Sequence, residues 1–194
     1  AMDWKTKYAD KIFSAEDAIA KIKDGDKVFL TGNCSVPQKL LAALVARAPQ
    51  LHDVEIFQAL TVAGSEYVAP ELEGHLRVNS LFISANVRKA IQEGRADFTP
   101  VLLSEFPLLF KKRIIPLDVA FVHLSPPDQD GFCTYGVETG LTKSPAESST
   151  LIIAEINEQM QRMHGDTQIH LDDIEEIVPV DYPIAELRMG DDGD

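Results

Sequence analysis

Asp26–Leu60, DKVFLTGNCSVPQKLLAALVARAPQLHDVEIFQAL, is the stretch whose reading decides the fold. It opens with a short apolar run, DKVFLTG, that ends at Gly32 and has the pattern of a buried strand. A polar loop, NCSVP, leads into QKLLAALVARAPQL, where Leu and Ala recur at helical spacing with Arg47 near the end. VEIFQAL then reads as a second buried strand. Strand, helix and strand in that order predict two parallel strands with the helix crossing back over them.

The same alternation extends both ways. Upstream, SAEDAIAKIKDG predicts a helix with Ser14 as its N-cap, Asp17 three residues on, and Gly25 closing it. Downstream, VAGSEYVAPELEGHLRVNS has no clear period. Then come a strand (SLFIS), a helix closed by Gly94 (ANVRKAIQEG) and a strand (FTPVLLS). A short helix follows, EFPLLFKKRI, in which Pro107 fits only the first turn. LDVAFVHLS reads as a strand, PPDQDGFCTYG as a turn-rich loop, LTKSPAESS as a broken helix and STLIIAEI as the last clear strand. Near-continuous apolar strands alternating with helices predict an α/β fold, a mostly parallel sheet with helices on both faces.

Composition narrows the function classes. The 194 residues suit one well-packed domain, with 45% hydrophobic and 25% charged residues. A net charge of −13 repels phosphate backbones and anionic lipid, which argues against nucleic-acid and membrane-surface partners. No apolar run reaches the ~18–20 residues that span a bilayer. The opening residues lack the apolar core of a signal peptide, and two cysteines do not make a disulfide framework, so a cytoplasmic location is expected.

In open parallel sheets, ligands bind beyond the carboxyl ends of the strands. Those ends carry TGNCSVP, SAN (Ser84–Asn86), SE (Ser104–Glu105), SPPDQDGF and EINEQM, which form a polar rim. TGNCSVPQ, between a strand and a helix, could turn its backbone N–H groups toward an anion at the helix start. It is neither a phosphate loop nor a dinucleotide fingerprint, and a tight turn in which Gly32 supplies freedom is the simpler reading. Cys34 has the place of a thiolate nucleophile near a helix start, or of a small buried hydrophobe. The stretch AEINEQMQRMHGDTQIHLDD gathers His164, Asp166, His170, Asp172 and Asp173. It lacks the spacing of a known metal motif, and its alternation suits an edge strand or turn with solvated histidines. From composition and periodicity alone no reaction can be named.

TGNCSVPQKLLAAL, ISANVRKAIQEGRADFTPVLLSEFPLLF, PLDVAFVHLSPPDQDGFCTYGV and IIAEINEQMQRMHGDTQIH, in that order and spacing, resemble the amino-terminal half of the acetyl-CoA hydrolase/transferase family. Within it the likeness is to the 4-hydroxybutyrate CoA-transferases and their butyryl- and acetate-using relatives, from about Lys11 to Pro183. The resemblance implies one of two α/β halves of an enzyme that moves CoA from an acyl-CoA to a small carboxylate. It further implies a glutamyl-CoA thioester, CoA as substrate with no covalently bound cofactor, and a homodimer of complete chains; no metal is expected from the residue spacing. The family's nucleophilic glutamate lies in a stretch resembling HTEMFSDG in the second half, which is absent here. None of Glu105, Glu138, Glu147, Glu155 or Glu158 matches that motif, so no catalytic residue is assigned. Residues 1–183 are then the amino-terminal domain, and 184–194 the start of the connector to the second half. Gly32, Asn33, Ser84, Asn86 and Ser125 become the substrate-pocket candidates by their strand-end positions, and Asn157, Gln159, His164 and Asp166 candidates for the seam between halves. The alternatives are a non-catalytic subunit needing a separate partner, an acyl-CoA hydrolase of the same family, or a thiol hydrolase using Cys34.

Overall fold

The computed structural model describes residues 3–32, 35–59, 64–82, 84–135, 141–163 and 167–184. The strand–helix–strand unit forms as expected: β1 (Lys27–Leu30), α3 (Gln38–Arg47) and β2 (Val54–Gln58), with β1 and β2 parallel. Before them lie α1 (Trp4–Lys7) and α2 (Ala15–Ile19). After them follow β3 (Leu76–Ser80), α4 (Arg88–Gln92), β4 (Asp97–Phe98), α5 (Phe106–Lys111) and β5 (Val119–Leu124). The chain continues through β6 (Phe132–Thr134), α6 (Lys143–Ser148), β7 (Leu151–Asn157), β8 (Gln168–His170) and β9 (Glu176–Val180).

Seven strands make one parallel sheet in the order β4-β3-β2-β1-β5-β7-β9, and β6 and β8 pair antiparallel beside it. Because successive side chains of a strand point to opposite faces, the apolar runs divide between two cores. Val28, Leu30, Ile56, Phe121, Ile153 and Val178 pack with α2 and α3. Phe29, Phe57, Val122 and Ile156 pack with α5, α6 and the small sheet on the other side. On that second face Phe29, Phe106 and Phe110 meet edge-on, with ring centroids 5.0–6.4 Å apart. Both faces are covered, which is why the strands carry continuous hydrophobic runs.

Local signals explain several element ends. Ser14 accepts from the Asp17 N–H at 3.1 Å, and Gly25 closes the following turn at φ +77°. Pro49 turns the end of the predicted long helix into a 3-10 turn, Ala48–Gln50.

Other elements depart from expectation. The third strand is Leu76–Ser80 rather than SLFIS, because Leu76, Val78 and Ser80 are the alternating buried positions. FTPVLLS contributes only Phe98 to β4, since Pro100 offers no N–H for a longer ladder. β9 extends the sheet beyond the last clear strand of the sequence. Its Pro179 is tolerated at the sheet edge. The loop PPDQDGFCTYG contains β6. Asp128 Oδ1 accepts from the Asp130 and Phe132 N–H groups at 2.9 Å, shaping the turn before it. The histidine-rich segment likewise contains a strand, β8, followed by the 3-10 turn Leu171–Asp173.

Candidate functional site

Strand order reverses between β1 and β5. The strands from β1 to β4 progress to one side, and β5, β7 and β9 to the other. The carboxyl ends of β1 and β5 thus flank the switch point at which open α/β sheets bind ligands. Two buried polar clusters sit at this edge, one on each side of β1.

The first cluster gathers at the ends of β2 and β3. Gln58 is fully buried, and its Nε2 donates to Ser84 Oγ at 3.1 Å. Ser84 Oγ donates to Asn86 Oδ1 at 2.5 Å, and Asn86 Nδ2 donates to Tyr67 OH at 2.6 Å and to the Gly64 carbonyl at 3.0 Å. Tyr67 OH closes the ring by donating to Gln58 Oε1. Every member is a neutral amide or hydroxyl, and burial pushes the Tyr67 phenol well above its ordinary range.

The second cluster lies at the ends of β5 and β7. Glu155 faces His123 across the parallel register and is fully buried. Pro37 precedes α3 and gives it no side-chain cap. Instead Glu155 Oε2 accepts the Leu40 N–H at 3.0 Å, and the Lys39 N–H also faces the carboxylate. Its Oε1 accepts from Tyr182 OH at 2.7 Å, and that hydroxyl accepts the Gln38 N–H at 3.2 Å. Asn157 Nδ2 donates to the Tyr182 carbonyl at 3.0 Å and lies 3.2 Å from His123 Nε2. The ring proton of His123 is therefore on Nδ1, which is buried with no hydrogen-bond partner among the described residues. Burial pushes the imidazole down to about 4, so it is neutral at physiological pH. Burial also raises the Glu155 carboxyl, against the stabilising pull of the helix N–H groups and the Tyr182 hydroxyl.

The candidates from sequence divide as follows. Ser84 and Asn86 are brought together in the first cluster. Gly32 is buried at the end of β1, its carbonyl accepting the Ser35 N–H at 3.1 Å, while Thr31 Oγ1 donates to the Ser35 carbonyl at 2.6 Å. Ser125 joins neither cluster. Its Oγ accepts from Thr134 N–H and Thr134 Oγ1, both at 2.9 Å, and so anchors the end of β6. Asn157 belongs to the second cluster, and Gln159 reaches outward to Asp181 Oδ1 at 2.7 Å. Asn33, Cys34, Glu138, His164 and Asp166 lie outside the described residues. His170 uses both ring nitrogens internally, Nε2 on the Asp130 carbonyl at 2.8 Å and Nδ1 on the Asp172 N–H at 3.0 Å. Among the described residues no group of three or more His, Cys, Asp or Glu side chains converges as a metal site would.

Sequence reading missed Gln58, Tyr67, His123, Glu155 and Tyr182 as members of these clusters. The available signal was an ionisable or amide side chain inside an otherwise apolar strand, as in VAFVHLS and LIIAEIN. A recess of about 270 Å³ lies at the opposite edge, against Asp53, Glu73, Arg77 and Arg95. Arg77 is held there by Asp97 at 2.7 and 2.9 Å and Arg95 by Glu93 at 2.8 and 3.0 Å, so the cations of the recess are already engaged.

Residues 1–187 match the model of the acetyl-CoA hydrolase/transferase N-terminal domain. The chain belongs to this family. It is similar to a 4-hydroxybutyrate coenzyme A transferase of Clostridium kluyveri, 38% identical over 100% of this chain and 45% of that protein. It is also similar to a succinyl-CoA:acetate/propanoyl-CoA:succinate CoA transferase of Fasciola hepatica, 37% identical over 83% of this chain and 34% of that one. Among solved structures, a 4-hydroxybutyrate CoA-transferase of Porphyromonas gingivalis superposes with a TM-score of 0.79 at 30% identity, covering 98% of this chain and 44% of that one. The chain spans less than half the length of these family members, and its α/β sheet is the fold of the solved Porphyromonas gingivalis protein over the matched part. No helix of the described residues is long and apolar enough to cross a membrane.

Proposed function

We propose that this chain is the amino-terminal domain of a CoA-transferase that moves CoA from an acyl-CoA to a small carboxylate of the acetate, butyrate or 4-hydroxybutyrate class. The observation that carries the reading is the family match over nearly the whole chain, together with relatives named as CoA-transferases of more than twice its length. In this reading a glutamate of the second half attacks the acyl-CoA carbonyl. The thioester C–S bond breaks, leaving an acyl-glutamyl anhydride and CoA thiolate. The thiolate then attacks the glutamyl carbonyl, releasing the first carboxylate and forming a glutamyl-CoA thioester. The incoming carboxylate reverses both steps and regenerates the glutamate. CoA is thus a substrate, and no covalently held cofactor is needed.

Residues 1–183 would form the domain and 184–194 the start of the connector. Gly32, Asn33, Ser84, Asn86 and Ser125 are proposed to shape the acyl or carboxylate side of the pocket, with Gly32 at the switch point and the Ser84–Asn86 network beside it. Complete chains are proposed to pair as a cytoplasmic homodimer. The buried state of Glu155, bonded to the start of α3, supports placing the nucleophile elsewhere, since an attacking carboxylate must reach substrate.

The test compares residues 1–194 with a chain carrying the second half, both assayed for acyl-CoA-dependent transfer to acetate, butyrate and 4-hydroxybutyrate. The longer chain is expected to turn over and residues 1–194 to be inactive. Robust turnover by residues 1–194 would overturn the reading.

A further inference from the structure

Helix α3 starts directly after the loop at the switch point, and its N-cap residue gives its first N–H groups no side-chain cap. A Ser, Thr, Asp or Asn before the helix would accept one of them cheaply, but Pro37 stands there. The donors are served from far along the chain instead. Leu40 N–H reaches Glu155 on β7, and Gln38 N–H reaches the hydroxyl of Tyr182, beyond β9. Tyr182 OH in turn donates to Glu155 Oε1 at 2.7 Å.

The Tyr182 backbone is fixed as well. Asn157 Oδ1 accepts its N–H at 3.3 Å, Asn157 Nδ2 donates to its carbonyl, and the His123 ring packs against its ring at 5.5 Å between centroids. Burying a carboxylate for this purpose carries a desolvation cost that a local cap avoids. What the costlier arrangement provides is a link among three parts: the loop entering α3, the end of β7 and the segment leaving β9. Only the middle part belongs to the sheet.

From this geometry we infer that Glu155 and Tyr182 are positioning residues for CoA transfer. Acting through the first turn of α3, they set Ser35–Pro37, the residues that enter the helix, against the segment that leads out of the domain. The inference rests on the function proposed above, because only a site at the switch point makes the placement of this loop matter to catalysis. Neither side chain touches substrate. Tyr182→Phe removes the hydroxyl that Gln38 and Glu155 share. Glu155→Gln keeps an acceptor for Leu40 and supplies an N–H for the Tyr182 oxygen.

The experiment uses the full-length protein, wild type and both variants. It measures amide exchange at Gln38–Leu40, melting temperature, and kcat and KM for acyl-CoA and carboxylate. Tyr182→Phe is expected to speed exchange and to lower kcat/KM for acyl-CoA, each roughly fivefold to tenfold, as loss of one buried hydrogen bond allows. Melting should fall by only a few degrees, and Glu155→Gln, which keeps an acceptor for Leu40 N–H, should lose less kcat/KM than Tyr182→Phe. Unchanged exchange at Gln38–Leu40 in Tyr182→Phe overturns the inference. So does faster exchange with wild-type kinetics, or a loss of kcat that only follows the unfolded fraction with KM unchanged, and both leave the CoA-transferase reading standing. A wild-type protein that transfers no CoA overturns that reading itself and removes the inference with it.

Discussion

Two buried polar clusters flank β1 at the same edge of the sheet, yet they are built from different chemistry. The one at β2 and β3 is a ring of neutral groups, Gln58, Tyr67, Ser84 and Asn86, in which each polar atom finds its partner in a neighbouring loop or strand end. The one at β5 and β7 contains a carboxyl and an imidazole, Glu155 and His123, and leans on the N–H groups of a helix. A neutral ring satisfies itself without solvent and is indifferent to pH. A buried carboxylate is stable only while α3 and Tyr182 supply donors, so its energy is tied to the position of other elements.

The sharpest way to break that contrast is Glu155→Ala. It leaves the Leu40 N–H and the Tyr182 hydroxyl without their acceptor in a buried site, and should cost about 4 kcal/mol in urea denaturation. A loss below about 1 kcal/mol would mean that α3 does not depend on the carboxylate.

Next in size is the pH response. His123 is held near 4 by burial, below its unfolded value of 6.5. Between these values the unfolded chain binds the extra proton, so stability is complete above 6.5 and falls as pH drops toward 4, by about 3 kcal/mol. The neighbours Asn157 and Tyr182 stay neutral there. Glu155 and Glu176, whose carboxyls are raised by burial, act in the opposite sense above 4.5 and flatten the curve. Asp97, Asp128 and Asp172 are lowered and lose their contribution only below 3.8. His123→Gln should therefore remove acid sensitivity between pH 6.5 and 4, as read from thermal melts across that range. A variant with the wild-type slope would assign the sensitivity elsewhere.

The smallest effect belongs to the neutral ring. Tyr67→Phe removes the hydroxyl that bonds Gln58 and Asn86, and should cost about 1–2 kcal/mol, equally at pH 5 and pH 8. A cost that changed between those pH values would show that the two clusters are coupled through β1 rather than independent.

Much of the fold was legible because its causes are local. Val28–Leu30, Val119–Phe121 and Leu151–Ala154 are apolar on both faces, which identified a covered parallel sheet, and Ser14 and Gly94 marked helix ends, while the helix expected to run to Gly25 stops at Ile19. β9 was missed because EIVPV is short and holds a proline, and its place at the sheet edge is fixed only by pairing with β7. The third strand was displaced because the apolar residues of SLFIS obscured the alternation of LRVNS just before it. Ser84 and Asn86 were legible as rim residues from their place after a strand. Their partners were not, since Gln58 and Tyr67 come from other segments and neither has a motif.

By itself, then, the sequence determined the layered α/β architecture and the edge of the sheet where polar residues collect, because periodicity and strand-end composition are read over a few neighbouring residues, while the family rested on the resemblance of four long segments. Only the tertiary structure decided which polar groups meet there. The cap of α3 lies 115 residues away from Leu40, on Glu155, and the tyrosine that completes it 144 residues from Gln38. Hydrogen bonding between such distant positions depends on strand order and register, and no spacing along the chain encodes it.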